Sequence, residues 1–283
     1  MPWGIPISRR GSPPVFTPRR RILSVAQVPI VHVAGTNGKG SICAYLDAVF
    51  RRAGLRTGRF NSPHLVEPHD AVLLDGSPSS RALFNATAER VAASGRAFDA
   101  SPFEQLTATA MSLFAQAQPR LDIAVVEVGM GGATDATNVS PAPLATVLGP
   151  VDLDHQALLG DTVEEIAQIK CGIFKKGCPA IVSVQEHPTV REVARNAAHN
   201  IGAPATFDQG GRWLDDGSLE VRLDGHAIRA RPSLAGSYQA VNASVAATAA
   251  HIVRSTTAFA ISDEAIVYGL EHTHWPGRLS LVP

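Results

Sequence analysis

The sequence predicts an α/β protein: a doubly wound, mostly parallel sheet carrying a phosphate-loop-like turn, with a small antiparallel β-meander near residues 212–231. Three observations lead there. Apolar, β-branched runs at 121–128, 144–148 and 179–184 read as strands buried on both faces. Segments of helical spacing alternate with them from residue 30 to residue 200. A glycine-rich turn joins the first strand to the first helix.

That first unit organises the rest. Residues 31–41 read Val-His-Val-Ala-Gly-Thr-Asn-Gly-Lys-Gly-Ser, and 42–50 continue with helical character. A strand, a glycine turn with a lysine and a hydroxyl, and a helix N-terminus suit the binding of phosphates. The common phosphate-loop spacing is not met, because Val33 stands where its first glycine belongs and Gly40 separates Lys39 from Ser41. The mechanics survive the mismatch. Gly35, Gly38 and Gly40 permit close approach, Lys39 reaches β- and γ-phosphates, and Ser41 is placed to ligate Mg²⁺. For this stretch alone, a glycine-rich turn with a solvated lysine is the alternative reading.

Arg56 to Phe60 follows as a second strand, and 61–70 is a turn-rich loop with two histidines and two prolines at its C-terminal end. Ala82 to Ala93 has helical spacing, with Ser79 or Ser80 as cap. Ser101-Pro-Phe-Glu104 is a capping box opening a further helix, with Leu106, Ala110, Leu113 and Phe114 toward the core. Glu104 thereby has a sufficient structural task. In the strand 121–128, Glu127 is anomalous: a carboxylate near the end of a buried strand needs a partner or a metal. Mg²⁺ ligation is favoured there over a buried salt bridge. Asp152-Leu-Asp-His155 lies just beyond the strand 144–148, and Asp161-Thr-Val-Glu164 reads as a second capping box for a helix that closes at Lys170-Cys-Gly. Thr189 to Asn200 is a helix. From 212 the period changes to two, with turns at Asp215-Asp-Gly217 and Asp224-Gly225. A small-residue helix then runs to about Arg254, and Ser262 to Glu271 forms another.

The chain of 283 residues contains 25 basic and 25 acidic residues, giving zero formal net charge. No basic field recruits nucleic acid, so small-molecule partners are expected. A monomer is expected. Hydrophobic residues make up 45% and charged residues 18%, and no run reaches the ~18 apolar residues of a membrane span. Cys43, Cys171 and Cys178 are too few and scattered for a disulfide framework. A cytoplasmic location is expected. Residues 1–29, rich in proline and arginine and free of acids, read as a disordered basic lead-in whose arginines leave a mitochondrial destination open.

Ten motifs in order resemble the Mur ligase superfamily, and within it the dihydrofolate synthase/folylpolyglutamate synthase family. They are His-Val-Ala-Gly-Thr-Asn-Gly-Lys-Gly-Ser (32–41), Ser-Pro-His-Leu (62–65), Phe-Glu-Gln-Leu-Thr-Ala (103–108), Val-Glu-Val-Gly-Met-Gly-Gly (126–132), Asp-Ala-Thr-Asn (135–138), Leu-Asp-His (153–155), Leu-Gly-Asp-Thr (159–162), Ile-Ala-x-x-Lys-x-Gly-Ile (166–173), Gln-Ala-Val-Asn (239–242) and Trp-Pro-Gly-Arg (275–278). The resemblance implies an ATP-dependent ligase: a pteroate or folate carboxylate is phosphorylated by ATP and then captured by L-glutamate. It implies that Gly38, Lys39, Gly40, Ser41, Asn242 and Arg278 bind ATP, and that Ser62, Glu127 and His155 hold Mg²⁺. It further implies that Phe103, Glu104, Asp135 and Ala136 lie on the pterin side, and that Lys39, His155 and Lys170 are catalytic. Lys170 matches the lysine that the family carries as a carbamate; on spacing alone, a lysine favouring the helix C-terminal dipole is preferred.

Departures from the family pattern bear on these expectations. Ala133-Thr134 replaces a common Arg-Leu, an exchange expected to weaken an anion or substrate contact, and Asn61 stands where threonine is usual. Residues 30–283 correspond to the family's central ATP-binding domain. The glutamate-binding C-terminal domain with its Asp-x-Ala-His-Asn-Pro motif is expected to be absent, since the sequence ends five residues after Arg278. A catalytically inactive nucleotide- and pterin-binding fragment is the alternative function.

Overall fold

The computed structural model describes residues 28–96 and 99–277. Most of the basic lead-in and Arg278 therefore lie outside the described residues.

Eight strands form one sheet: β1 (Ile30–Ala34), β2 (Thr57–Phe60), β3 (Val72–Leu74), β4 (Ser77–Pro78), β5 (Ile123–Glu127), β6 (Ala145–Leu148), β7 (Ala180–Val182) and β8 (Ala205–Phe207). Their order is β4-β3-β2-β5-β1-β6-β7-β8. The six strands from β2 to β8 in that order are parallel, while β3 and β4 fold back antiparallel on the β2 edge. The hairpin β3–β4 turns at Asp75 and Gly76, both with positive φ (49° and 77°). An Asp-Gly pair supplies that turn at low strain; neither this hairpin nor the short strand β8 is among the strands expected from the sequence.

Strand alternation divides the core. Val31, Val33, Ile123, Val125, Ala145, Val147 and Ile181 face one side, where they pack with α1 (Lys39–Arg52), α7 (Gln239–Thr256), α8 (Asp263–Glu271) and the meander β9 (Gly211–Trp213), β10 (Leu219–Leu223), β11 (His226–Ala230). The opposite face carries two helix pairs. Ile30, Phe60, Ala124 and Val126 meet α2 (Arg81–Gly95) and α3 (Pro102–Gln116), while Ala34, Leu148, Ala180 and Val182 meet α5 (Val163–Cys171) and α6 (Pro188–Ile201). A single turn of helix, α4 (Gln156–Leu159), links β6 to α5. Each large apolar side chain hidden this way, Phe50, Phe60 and Phe114 among them, contributes about 1.5–3 kcal/mol.

Local signals hold with small shifts. Ser80 caps α2, and Ser101 with Glu104 forms the capping box of α3. The second box is displaced by one residue: Thr162 and Glu165 form it, not Asp161 and Glu164, because the Glu165 carboxylate accepts from both Asp161 N (2.8 Å) and Thr162 N (3.1 Å). All three cysteines are free and buried. No described helix is long and apolar enough to cross a membrane.

One polar cluster is sealed between α1 and β2. Asp47, 1% exposed, accepts from Thr57 Oγ1 (2.6 Å) and Arg51 Nε (3.2 Å) and lies 3.6 Å from the buried Arg59 guanidinium. Removing the acid would leave a buried cation without its counter-charge. Asp47→Ala is expected to lower stability by about 3–5 kcal/mol in a denaturant titration, more than Arg51→Ala, whose side chain is 40% exposed.

Candidate functional site

Parallel pairing puts the C-terminal ends of β2, β5, β1 and β6 side by side, so four loops meet outside one edge of the sheet. Open α/β sheets bind ligands at such an edge. The loop after β1 is stitched to the loop after β6. Thr36 N and Asn37 N donate to Pro150 O (2.8 and 3.2 Å), Thr36 Oγ1 donates to Asp152 O (3.0 Å), and Asp152 N donates back to Thr36 Oγ1 (3.1 Å).

The loop then enters α1 with an open N-terminus. Gly38, the N-cap, has φ 77°, and no side chain caps the helix. The first intrahelical bond is Ile42 N to Gly38 O (2.9 Å), so helix geometry leaves the N–H groups of Lys39, Gly40 and Ser41 without a carbonyl partner in the helix. An anion is the natural complement. Gly38 is doubly constrained: beside its positive φ, a β-carbon there would lie 2.1 Å from Asn242 Oδ1. Asn242, 2% exposed on the first turn of α7, thus stands directly against the loop, its Nδ2 donating to Gln239 Oε1 (3.1 Å). Lys39 Nζ folds back to Thr36 O at 3.2 Å.

Lys170 reaches the same loop from α5. Its Nζ donates to Gly35 O at 2.9 Å with the side chain only 2% exposed. The amine is therefore committed to the phosphate loop and not to the end of its own helix, which decides against the simple dipole reading. Burial first, and Lys39 second, lower its pKa to about 8, against the opposing pull of Asp154 and Asp135.

Glu127 ends β5, level with Val33 of β1, and is 5% exposed. Its Oε2 accepts from Asn61 Nδ2 (2.8 Å) and Ser62 N (3.3 Å). Asn61 Oδ1 is buried without a conventional hydrogen bond, although the weak thiol donor of Cys43 faces the same amide. A carboxylate, an amide oxygen and the neighbouring Ser62 make an oxygen-rich corner that suits a hard cation such as Mg²⁺. His155 follows β6 by seven residues, as the N-cap of α4. It is 52% exposed in a left-handed conformation (φ 49°), with Nε2 3.5 Å from Asp154. The described residues contain no group of three or more His, Cys, Asp or Glu side chains close enough to hold a metal on their own.

The loop after β5 is tied down from within. Asp135, 7% exposed, accepts from Met130 N (2.9 Å), Thr137 N (2.9 Å) and Thr137 Oγ1. Burial raises its pKa. Thr137 Oγ1 also receives His32 Nε2 (2.8 Å); since its own hydrogen goes to Asp135, the ring donates from Nε2. Burial, then Lys175, lowers the His32 pKa to about 3, so the imidazole is neutral. Asn138 bridges Ala133 O and Gly172 O, and Lys175 Nζ donates to Asn138 Oδ1 (2.6 Å). Phe103 lies over this loop: a β-carbon on Gly129 would come within 2.3 Å of its ring, whose centroid is 6.3 Å from that of Phe60. Glu104 Oε2 is engaged by Ser101 N and Oγ (both 2.8 Å), and Ala136 is half-buried beside Asp135.

No family model matches the chain. Individual proteins do. A probable dihydrofolate synthetase of Schizosaccharomyces pombe is 38% identical over 256 residues, covering 89% of this chain and 60% of that protein. The solved FPGS–AMPPCP complex superposes with TM-score 0.80 at 31% identity over 92% of this chain and 68% of that one. The chain belongs to the folylpolyglutamate synthase/dihydrofolate synthase family. A bifunctional folylpolyglutamate synthase/dihydrofolate synthase solved with Mn, AMPPNP and L-glutamate bound has TM-score 0.79 and 31% identity, covering 94% of this chain and 62% of that one. The chain spans 60% of the length of the S. pombe relative.

In this family member the expected site residues divide into two sets. Gly38, Lys39, Gly40, Ser41, Asn242 and Lys170 converge on the phosphate loop, and Ser62 meets Glu127. His155 points to Asp154, and Glu104 and Asp135 are committed to holding loops in place. Asn61, His32, Thr137 and Asn138 also line this edge, beyond the residues expected from the sequence; a histidine inside the apolar strand β1 is the signal that points to them. Ala133 is exposed, with its backbone N bonded to Ile169 O (2.9 Å).

The Lys170 shift carries a pH dependence. Its folded pKa of about 8 lies below the ordinary 10.5, so the unfolded chain holds more protons between those values and stability rises with pH there. In urea titrations between about pH 8 and 10.5, the wild type is expected to gain stability relative to Lys170→Met as pH rises; a flat difference would contradict the assignment.

Proposed function

We propose that the chain is the ATP-binding part of a ligase that joins L-glutamate to dihydropteroate or a folate through an acyl phosphate. The observation that carries this reading is the uncapped N-terminus of α1, with Lys39 on it, Lys170 against Gly35 and the Glu127–Asn61–Ser62 corner on the neighbouring strand ends. It is supported by family membership and by solved relatives bound to AMPPCP, or to Mn, AMPPNP and L-glutamate.

Phosphoryl transfer asks mostly for positioning and charge neutralisation. Under this proposal the N–H groups of Lys39, Gly40 and Ser41 hold the phosphates, Lys39 neutralises the transferring group, and Asn242 borders the nucleotide, with Arg278 as a further contact. A carboxylate oxygen of the pterin substrate attacks the γ-phosphorus and ADP leaves. The glutamate amine then attacks the acyl carbon, phosphate departs with the C–O electrons, and the nitrogen loses a proton. Ser62, Glu127 and His155 would hold Mg²⁺, which supplies charge neutralisation at the phosphate oxygens. Phe103 offers an aromatic wall on the pterin side, with Glu104, Asp135 and Ala136 nearby.

Lys170 is proposed to carry a carbamate. A buried amine with a lowered pKa has a larger neutral fraction to react with CO₂, and the product replaces a cation by a carboxylate near the metal corner. We further propose a monomer of cytoplasmic location, with a mitochondrial one as the alternative. Zero net charge gives no support to a nucleic-acid partner.

A second reading is a nucleotide- and pterin-binding protein without turnover, supported by Glu104 and Asp135 both being engaged within their own loops. The two separate in one assay: ADP release and amide formation by the purified chain with Mg·ATP and dihydropteroate, with and without L-glutamate and bicarbonate. The ligase reading expects glutamate-dependent ADP and amide, stimulated by bicarbonate, and a fall of about 10²–10³-fold in Lys39→Ala. Nucleotide binding without amide would favour the second reading, and absence of nucleotide binding would contradict both.

A further inference from the structure

We infer that Trp275 is a positioning residue that braces the phosphate loop from behind. The inference rests on reading residues 35–41 as a nucleotide site. The segment after α8 turns back to that loop. Thr273 starts the return: its Oγ1 donates to Gly269 O (2.6 Å), and its carbonyl accepts from Ser233 Oγ (2.6 Å). Two residues on, Trp275 packs against the core that contains α1 and α7. Its indole lies on Gly40: a β-carbon there would sit 2.9 Å from Cζ2 and 3.3 Å from Cε2 and Nε1.

The same ring covers a buried cation. The Arg59 guanidinium carbon lies 4.7 Å from the indole centroid. Arg59 meets Asp47 at 3.6 Å and leaves its Nε without a hydrogen bond, so the aromatic face supplies part of its stabilisation. Farther along, Gly277 (φ 78°) abuts Leu65, where a β-carbon would come within 2.6 Å of Cδ1. One short segment thus touches the first turn of α1, the cation on β2 and the loop that begins at Asn61.

The indole N–H is itself buried without a partner. A buried donor left unpaired lowers stability, so the ring is held by shape and not by its polar atom. This is the pattern of a residue kept for what it positions. With the ring in place, Gly40 and its N–H are pressed from one side while Asn242 bounds Gly38 from the other. The loop has little room to shift, so the N–H groups that would meet a phosphate are held in one arrangement before it binds.

The test is a set of variants: Gly40→Ala, Trp275→Ala, Trp275→Phe and the double Gly40→Ala/Trp275→Ala. Two quantities are measured, the melting midpoint without ligand and the affinity for Mg·AMPPCP by calorimetry. Trp275→Ala is expected to bind about tenfold more weakly, and Trp275→Phe to stay within about threefold of the wild type. The double variant is expected to bind more tightly and melt higher than Gly40→Ala, because removing the indole frees the space that the new methyl needs. Losses that multiply in the double variant, or a Trp275→Ala protein that binds like the wild type, would overturn the inference. Should the wild type bind no nucleotide, the functional reading fails by itself, while the unliganded melting order still decides the brace. Should Gly40→Ala not fold, the contrast between Trp275→Ala and Trp275→Phe decides it.

Discussion

The backbone pairing of β1 with β5 on one side and β6 on the other is the constraint on which the site depends. Because all three strands run parallel, Gly35, Val128 and Gly149 leave the sheet at one level and in one direction. The phosphate loop has no fold of its own. Its shape comes from what the neighbouring strands deliver to it: Pro150 O for two of its N–H groups, Asn242 against Gly38, and Lys170 on Gly35 O. The polar groups left over point outward from α1.

The charges around this loop follow from the same geometry. Lys170, Glu127 and Arg59 are each almost fully buried, and each has specific polar neighbours: a carbonyl, an amide pair, and a carboxylate with an aromatic face. Such groups lower stability unless well matched. They concentrate near one edge of the sheet, as expected where a fold trades stability for chemistry. His32 shows the other solution. It is kept neutral by burial and serves as a hydrogen-bond strut, holding Thr137 and, through it, Asp135 and the turn at Met130.

Much of this was legible in the sequence, and for physical reasons. Strands buried on both faces must be almost wholly apolar, so 121–128 and 144–148 announce themselves, and Ser101-x-x-Glu104 is a cap wherever it precedes a helical run. Glu127 stood out because a carboxylate in such a strand demands a partner. The partner itself could not be read: Asn61 is 66 residues away, and only the pairing of β2 with β5 brings it within 2.8 Å. The Lys170–Gly35 contact, across 135 residues, was hidden in the same way, and local spacing favoured a different task for that lysine. Glu104 and Asp135 match substrate-side positions by motif, and each is also hydrogen-bonded within its own loop, to Ser101 and to Thr137. The β3–β4 hairpin and β8 escaped because they are only two or three residues long and, unlike β7, lie in no longer apolar run.

Under the proposed function, the open N-terminus of α1, with Lys39 on it, holds the nucleotide phosphates. Titration calorimetry of the chain with AMPPCP, with and without Mg²⁺, tests it most directly. One nucleotide per chain is expected, bound more tightly with Mg²⁺ and weakened at least tenfold, or about 1.4 kcal/mol, in Lys39→Ala. Absence of binding, or equal affinity in the variant, would contradict it.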